Sequence, residues 1–258
     1  MYFSARRGGV TSFNPLSLSP ALWLSDTGSD ASIWPDLSGN ERNATQATTA
    51  NQPAIVANAQ NGRQVRRFDG VNDILSTAAW TSSISVDVFI AVKATNWHRG
   101  VTQALASHGY SEDFNNGQSY GQIVGSTGGD WVVNDITCYG RGYQGNPRAI
   151  AAQPSGSDFR MLNFAMSASQ SFIKINGATI SQRVTRTANC VTSTTPFRVG
   201  SNLTSGEFWD GDIAEILVFP TALSSTDRQA VELYLLNKWG FTFWNDSAAW
   251  DDSTNWTD

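Results

Sequence analysis

The sequence predicts an all-β protein: a two-sheet antiparallel sandwich with one C-terminal helix and extended N- and C-terminal arms. Three observations predict it. Charged residues make up only 15% of the 258-residue chain, against a usual share of about 25%, and Ser, Thr and Asn, whose side chains compete for backbone hydrogen bonds, disfavour helix. Residues 84–92 alternate, with Ile84, Val86, Val88, Ile90 and Val92 interleaved by Ser85, Asp87, Phe89 and Ala91, the period of a strand with one face on a core. Short apolar runs with turn residues between them continue from residue 64 onward with no interleaved helices, which indicates ten to twelve strands stacked as two sheets.

Taken in order, further strands are expected at 64–68, 103–108, 120–124, 131–139, 148–152, 158–166, 196–200 and 212–219. Residues 172–175 and 178–184 flank Asn176-Gly177, a pair that tolerates the positive φ angles of a type I′ turn, and read as a hairpin. The single helix begins at the Ser224-x-x-Asp227 capping signal, places Val231, Tyr234, Leu235 and Trp239 on one face, and stops at Gly240. It is expected to pack on the rim of the sandwich. The domain then spans 20–240, with an N-terminal arm at 1–19 and a tail at 241–258.

That tail is unlike the rest. Trp244, Trp250 and Trp256 recur every six residues, each followed by Asp246, Asp252 or Asp258. Six is even, so an extended strand would align all three indoles on one face, whereas a helix would scatter them by about 120° per step. Four of the chain's five net negative charges lie in the tail, through Asp246, Asp251, Asp252 and Asp258. The remainder is nearly neutral, which gives no electrostatic basis for nucleic-acid binding.

No apolar run is long enough to span a bilayer, and the N-terminal Arg6-Arg7 is followed by polar residues rather than the apolar stretch of an export signal, so synthesis in the cytoplasm without independent export is expected. Cys138 and Cys190 are too few for a disulfide framework and lack metal-site spacing; they read as two half-buried thiols. His98 and His108 belong to no zinc-like cluster and are expected to line a loop or a sheet face.

Several stretches together resemble the concanavalin A-like lectin/glucanase superfamily, in its laminin-G-like jelly-roll branch, as found in bacterial surface proteins and tailed-phage virion proteins. They are Ala21-Leu-Trp-Leu24, Trp34-Pro-Asp-Leu-Ser-Gly-Asn40, Asn61 to Leu75 with Phe68-Asp69-Gly70 at its centre, and Trp209-Asp-Gly-Asp-Ile-Ala-Glu-Ile-Leu-Val-Phe219. The resemblance covers about residues 20–240 and implies a jelly-roll topology. Some relatives bind calcium near such loops, which makes Asp69, Asn72 and Asp73 the calcium candidates; the short polar side chains also suit a plain turn, and no full acidic loop surrounds them.

Glycosidases of this superfamily carry a Glu-x-Asp-x-(x)-Glu strand, and retaining hydrolysis needs two carboxyl groups about 5–5.5 Å apart. No glutamate pair here has that spacing. Glu215 and Asp212 share a strand, but three residues apart they are expected on opposite faces. No nucleophile elbow or phosphate loop occurs either. The expectation is a non-enzymatic protein without a required cofactor. The short arginine-bearing arm and the Trp-Asp tail resemble phage structural proteins, implying a virion subunit that is a capsid decoration, head-fibre or tail-associated protein. Arg6, Arg7, Trp244, Trp250 and Trp256 would then bind neighbouring subunits, and a homo-oligomer such as a trimer is expected. The alternative is a glycan-binding adhesin, with Trp97, Tyr110 and Trp131 as candidate stacking platforms, although these aromatics equally suit filling the sandwich or a protein–protein seam; a glycan depolymerase ranks behind both.

Overall fold

The alternation and turn signals resolve into seventeen strands and one α-helix among the described residues, which in this computed structural model are 13–97, 99–108, 118–123, 135–140, 148–152, 156, 158–186, 188–202 and 207–241. In chain order the strands begin with β1 (Leu22–Leu24), β2 (Ile33–Trp34), β3 (Ala44–Thr45), β4 (Ala54–Gln60), β5 (Arg63–Asp69), β6 (Leu75–Thr81), β7 (Val86–Ala94), β8 (Gln103–His108) and β9 (Gln118–Ile123). They continue with β10 (Asp135–Tyr139), β11 (Arg148–Ala152), β12 (Arg160–Met166), β13 (Ser171–Ile175), β14 (Ala178–Thr179), β15 (Ser181–Arg186), β16 (Thr194–Val199) and β17 (Asp210–Phe219), followed by helix α1 (Ser225–Trp239).

One sheet of eight strands runs β14-β13-β12-β7-β17-β5-β4, with β1 also paired to β17; the other, of nine, runs β15-β11-β10-β9-β8-β16-β6-β3-β2. All the pairings are antiparallel. The sandwich expected from the sequence is thus the architecture observed. Its main core lies between the sheets and includes Leu22, Trp34, Phe68, Val88, Ile90, Leu162, Phe164, Phe197, Ile213 and Ile216. The strands that sequence pattern did not single out are β1, β2, β3, β4 and β6. The first three are two or three residues long, too short for any alternation to register.

Three expectations are corrected. First, β7 has not one buried face but two: Asp87, Phe89 and Ala91 are as inaccessible as Val88, Ile90 and Val92, whereas Ile84 lies ahead of the strand and is 51% exposed. Second, the arm after Asn176-Gly177 does not run as one strand. The turn has the expected positive φ at both residues, 47° and 85°, but β14 pairs with β13 in one sheet and β15 with β11 in the other, so the chain changes sheets at Ile180. Third, α1 lies not on the rim but on the outer face of the eight-stranded sheet.

There it makes a second core with Val65, Phe89, Ala91, Met161, Ala214, Leu217 and Phe219, joined by Phe13 and Leu18 from before the first strand and by Phe241 after the helix. The packed body therefore extends beyond 20–240 at both ends. The helix begins as its sequence predicts, with Ser224 Oγ accepting from Asp227 N at 3.1 Å, and ends on Gly240 at φ 67°. Capping of this kind contributes about 1 kcal/mol. Full burial of Val231 and Leu235 contributes roughly 1.5–3 kcal/mol each, so packing decides where the helix sits.

Charged groups fasten it further. Arg228 Nη2 donates to Asp87 Oδ2 at 2.8 Å, and Lys174 Nζ to Glu232 Oε1 at 3.1 Å. Glu215, fully buried, accepts from Trp23 Nε1 at 2.6 Å, Tyr234 OH at 2.9 Å and Trp239 Nε1 at 2.6 Å, and pairs with Lys238 Nζ at 3.0 Å. Lys238 also pairs with Asp26 at 2.9 Å, which Arg63 meets at 2.6 Å. Burial opposes the charge on Asp26, yet the bonds from Lys238 and Arg63 hold its pKa down at about 2.

The expectation that Asp212 and Glu215 face opposite sides is also corrected. The register of β17 against β7 shifts between Ile213 and Glu215, so Asp212 opposes Lys93 and Glu215 opposes Ala91, two positions on one face. A bulge has inserted the extra residue. Asp212 is taken up by Arg67 at 2.6 and 2.9 Å, and Glu215 by the helix.

Among the described residues no helix is long and apolar enough to cross a membrane. Replacing Glu215 with Ala leaves a buried ammonium, two indole N–H groups and a phenol short of an acceptor. Loss of one partner of a buried ion pair destabilises by about 3–5 kcal/mol. A fall of that size in the free energy from urea unfolding is the expected result, with Lys238→Met, which removes the other partner, also destabilising.

Candidate functional site

The nine-stranded sheet carries a polar row across its outer face. Strand register fixes the row: Ile33 lies opposite Thr45, Thr45 opposite Ser76, Ser76 opposite Arg198, Arg198 opposite Ser107, Ser107 opposite Ser119, and Ser119 opposite Tyr139. The same register continues to positions 148 and 186, both arginine. The neighbouring row, one residue along each strand, is Val199, Ala106, Tyr120, Cys138 and Ala149, all in the main core. Successive residues of a strand point to opposite faces, so the polar row points away from the core.

Accessibility changes in one direction along it. Ile33 and Thr45 are exposed, Ser76 and Arg198 are half-buried, and Ser107, Ser119 and Tyr139 are closed off from solvent. The row thus passes from exposed to covered across the sheet, with Arg198 at the step. Ser107 Oγ donates to Ser201 O at 3.3 Å, which leaves its oxygen free to accept. Ser119 Oγ and Arg198 Nη1 are buried with no hydrogen-bond partner. Ser201, whose carbonyl takes the Ser107 bond, and Asn202 are buried as well; Asn202 Nδ2 donates to Glu207. A buried polar atom without a partner is costly to keep; eight others among the described residues, Trp97 Nε1 and Trp209 Nε1 included, share that condition elsewhere in the fold.

The residues singled out from sequence are distributed otherwise. Trp97 is not a stacking platform: it is 2% exposed and packs edge-on against Trp209, ring centroids 5.6 Å apart, inside the core. Three residues past the end of β7, the indole joins the main core. Asp69 Oδ1 accepts from Val71 N at 2.8 Å and Asn72 N at 3.1 Å, and Asp73 Oδ2 from Asp69 N at 3.0 Å. These carboxylates are therefore engaged by the turn's own amides, and Gly70 sits at φ 72° where an added Cβ would strike Arg99 and Asp210. Among the described residues no cluster of three or more His, Cys, Asp or Glu side chains could hold a metal. Tyr110, Trp131, Arg6, Arg7, Trp244, Trp250, Trp256 and His98 lie outside the described residues.

Cys138 and Cys190 are both free and fully rather than half buried; burial pushes both thiols up, Cys190 to about 12, so neither is a thiolate near neutrality. His108 is 1% exposed and faces the interior, not a loop. Its Nε2 stands 3.0 Å from Trp80 O and 3.1 Å from Thr195 O, two acceptors that place the proton on that nitrogen. Its ring lies 4.1 Å from the Trp80 ring. Burial lowers its pKa from 6.5 to about 4, against the two carbonyls that raise it.

A polar hollow, about 260 Å³, lies on the helix side between Gln60, Lys93, Asp158, Phe159, Arg160, Gly240 and Phe241. Phe241, the last described residue, stacks on Phe159 with an interplanar angle of 16°.

No protein-family model matches the chain, and no curated protein matches it in sequence. Solved structures do match in fold. Trypanosoma rangeli sialidase superimposes with a TM-score of 0.55 at 13% identity over 85% of this chain and 33% of its own. Domain 4 of AbnA, a GH43 extracellular arabinanase from Geobacillus stearothermophilus, solved with arabinotriose, gives 0.54 at 18% identity over 84% of this chain and 98% of its own. The ligand-binding domain of botulinum neurotoxin serotype D, solved with N-acetylneuraminic acid, gives 0.56 at 13% identity over 85% and 52%. The chain thus spans about a third of the sialidase and about half of the neurotoxin chain. At these identities the likeness establishes the β-sandwich fold.

Sequence reasoning missed Arg198, Ser107, Ser119 and Tyr139, although their strands were found. The signal was there in part: Arg198 stands between Phe197 and Val199, an interruption that marks the outward face.

His108 makes stability depend on pH. Its folded pKa lies below its unfolded one, so as pH falls below 6.5 the unfolded state takes the proton first, and the stability present at pH 7 is lost progressively down to about pH 4. A shift of this size corresponds to at most about 3 kcal/mol. Urea unfolding at pH 7 and 4.5 should show a smaller loss in His108→Gln than in the native protein.

Proposed function

We propose that the chain is a non-catalytic glycan-binding module whose ligand meets the polar row on the outer face of the nine-stranded sheet. The observation that carries this reading is the graded polar row with its two unpartnered buried groups, Arg198 Nη1 and Ser119 Oγ. Hydroxyl and guanidinium groups are among the polar groups that recognise sugars. The fold neighbours named above support it, since their structures were solved with arabinotriose and N-acetylneuraminic acid. A non-catalytic role is supported by Glu215. It is the glutamate that the bulge brings to the same face as Asp212, yet it is buried under the helix and bonded to three side-chain donors and a lysine.

A second reading is that the domain is carried on a tailed-phage particle, as a decoration, head-fibre or tail-associated subunit. One observation favours it: the chain passes Phe241 beside the hollow that holds Lys93 and Arg160, two cations next to the start of the acidic Trp-repeat segment. Arg6, Arg7, Trp244, Trp250 and Trp256 would then engage neighbouring subunits.

Each reading has its own experiment. Titration calorimetry against a panel of neutral and acidic oligosaccharides should show binding that weakens at least tenfold in Ser119→Val, which removes the unpartnered hydroxyl; absence of binding across the panel would reject the glycan reading. Deletion of residues 242–258 should leave the unfolding transition intact and abolish incorporation into particles; full occupancy without the segment would reject the virion reading.

A further inference from the structure

We propose that the hollow where α1 ends is the seat of the chain's own acidic segment: Trp244 and Asp246 enter it, and the Asp246 carboxylate pairs with the ammonium of Lys93. The proposal goes beyond both functional readings, and neither depends on it.

The starting point is how lysine is used. The chain has three, Lys93, Lys174 and Lys238. Lys174 pairs with Glu232 at 3.1 Å, and Lys238 with Glu215 at 3.0 Å and Asp26 at 2.9 Å. Lys93 is half-buried and makes no ion pair among the described residues; its ammonium lies 5.9 Å from the centre of the Phe159 ring. It stands on the outer face of the eight-stranded sheet, since Ala91 and Phe89, two and four residues before it, pack under the helix. The carboxylate opposite it in register, Asp212, is already held by Arg67 at 2.6 and 2.9 Å. Arg160 brings a second cation to the same hollow, with Asp158 4.0 Å away, so the lining carries a net positive charge.

Exit point, charge and size name the occupant. The chain leaves the described residues at Phe241, which forms part of the wall of the hollow and stacks on Phe159. The seventeen residues that follow carry four aspartates and no basic side chain, the charge that Lys93 and Arg160 call for. The hollow, at about 260 Å³, falls short of the roughly 300 Å³ from which small-molecule pockets start. It is of a size for side chains of a passing strand rather than for a free oligosaccharide.

Spacing picks the residues. Asp246 is five residues past Phe241, and an extended chain advances about 3.3 Å per residue, so Asp246 reaches any point of the hollow whose wall Phe241 forms. Asp251, Asp252 and Asp258 come only after the chain has passed it. Trp244 and Asp246 stand two apart and share one face of an extended segment. That face brings the indole to the Phe159–Phe241 wall and the carboxylate to Lys93. Trp250 and Trp256 lie further along, left to engage neighbouring subunits if the domain is carried on a particle.

The test uses the full chain at low ionic strength. A water-soluble carbodiimide joins a carboxylate to an amine where the two are in contact. Peptide mass spectrometry should find Lys93 coupled within one chain to Asp246 at least tenfold more than to Asp251, Asp252 or Asp258. The coupling should fall at least tenfold at about 1 M salt, where the Debye length is about 3 Å. Amide hydrogen exchange should show residues 242–246 protected relative to 251–258, with the protection lost in Asp246→Asn and in Lys93→Met. The melting temperature should be unchanged in Asp246→Asn, because a pair at the surface adds little to global stability. Coupling spread evenly over the four aspartates, equal exchange along the segment, or protection that survives either substitution overturns the proposal. So does coupling found only between chains, which seats the segment on a second copy. Should Lys93→Met unfold, Asp246→Asn decides alone, with the same outcomes.

Discussion

The carboxylate of Glu215 has no access to water, and the structure is arranged to meet its demand for donors. Two indoles, a phenol and an ammonium converge on it from β1 and α1. A buried charge left alone would be strongly unfavourable, and the same charge with four donors becomes a fixed point. Because Trp23 lies on the sheet and Tyr234, Lys238 and Trp239 on the helix, that point sets the rotation and position of α1 over the sheet. Apolar packing supplies most of the stabilisation there, but packing is tolerant of small slides; directional bonds to one carboxylate are not.

The consequence is a molecule of three layers rather than two, with its two sheets in different roles. The eight-stranded sheet is covered on both faces, by the main core and by the helix. Its outward charges, Asp87, Asp212 and Glu215, are absorbed by Arg228, Arg67 and Lys238. The nine-stranded sheet has the main core on one face. Its other face carries a polar row in which Arg198 Nη1 and Ser119 Oγ are buried without partners, the feature on which the proposed ligand site rests.

Much of the sandwich was legible because strands of five or more residues impose alternation. The runs around β5, β7, β8, β11, β12, β16 and β17 carry it, and the Asn176-Gly177 turn and the Ser224 to Gly240 helix carry local signals of their own. What escaped did so for definite reasons. The shortest strands have no period to read. The bulge in β17 alters facing by a single inserted residue, which sequence spacing alone does not reveal. The buried face of α1 carries Arg228 and Glu232 among its apolar residues, so the stripe looks weaker than it is and gives no hint of the sheet beneath.

Local pattern therefore decided what is strand, turn and helix, and that no glycosidase motif is present, because those properties depend on residues a few positions apart. Which face is covered, which tryptophan is core and which arginine has a buried atom without a partner were decided only by tertiary structure. Trp97 and Arg198 make the point together. The indole beside a polar loop is packed on Trp209, while the arginine between two core residues attracted no notice and has its Nη1 buried without a partner. Burial and pairing are set by strands that meet across about a hundred residues of chain, as Arg198 meets Ser107, and no local reading of sequence contains that distance.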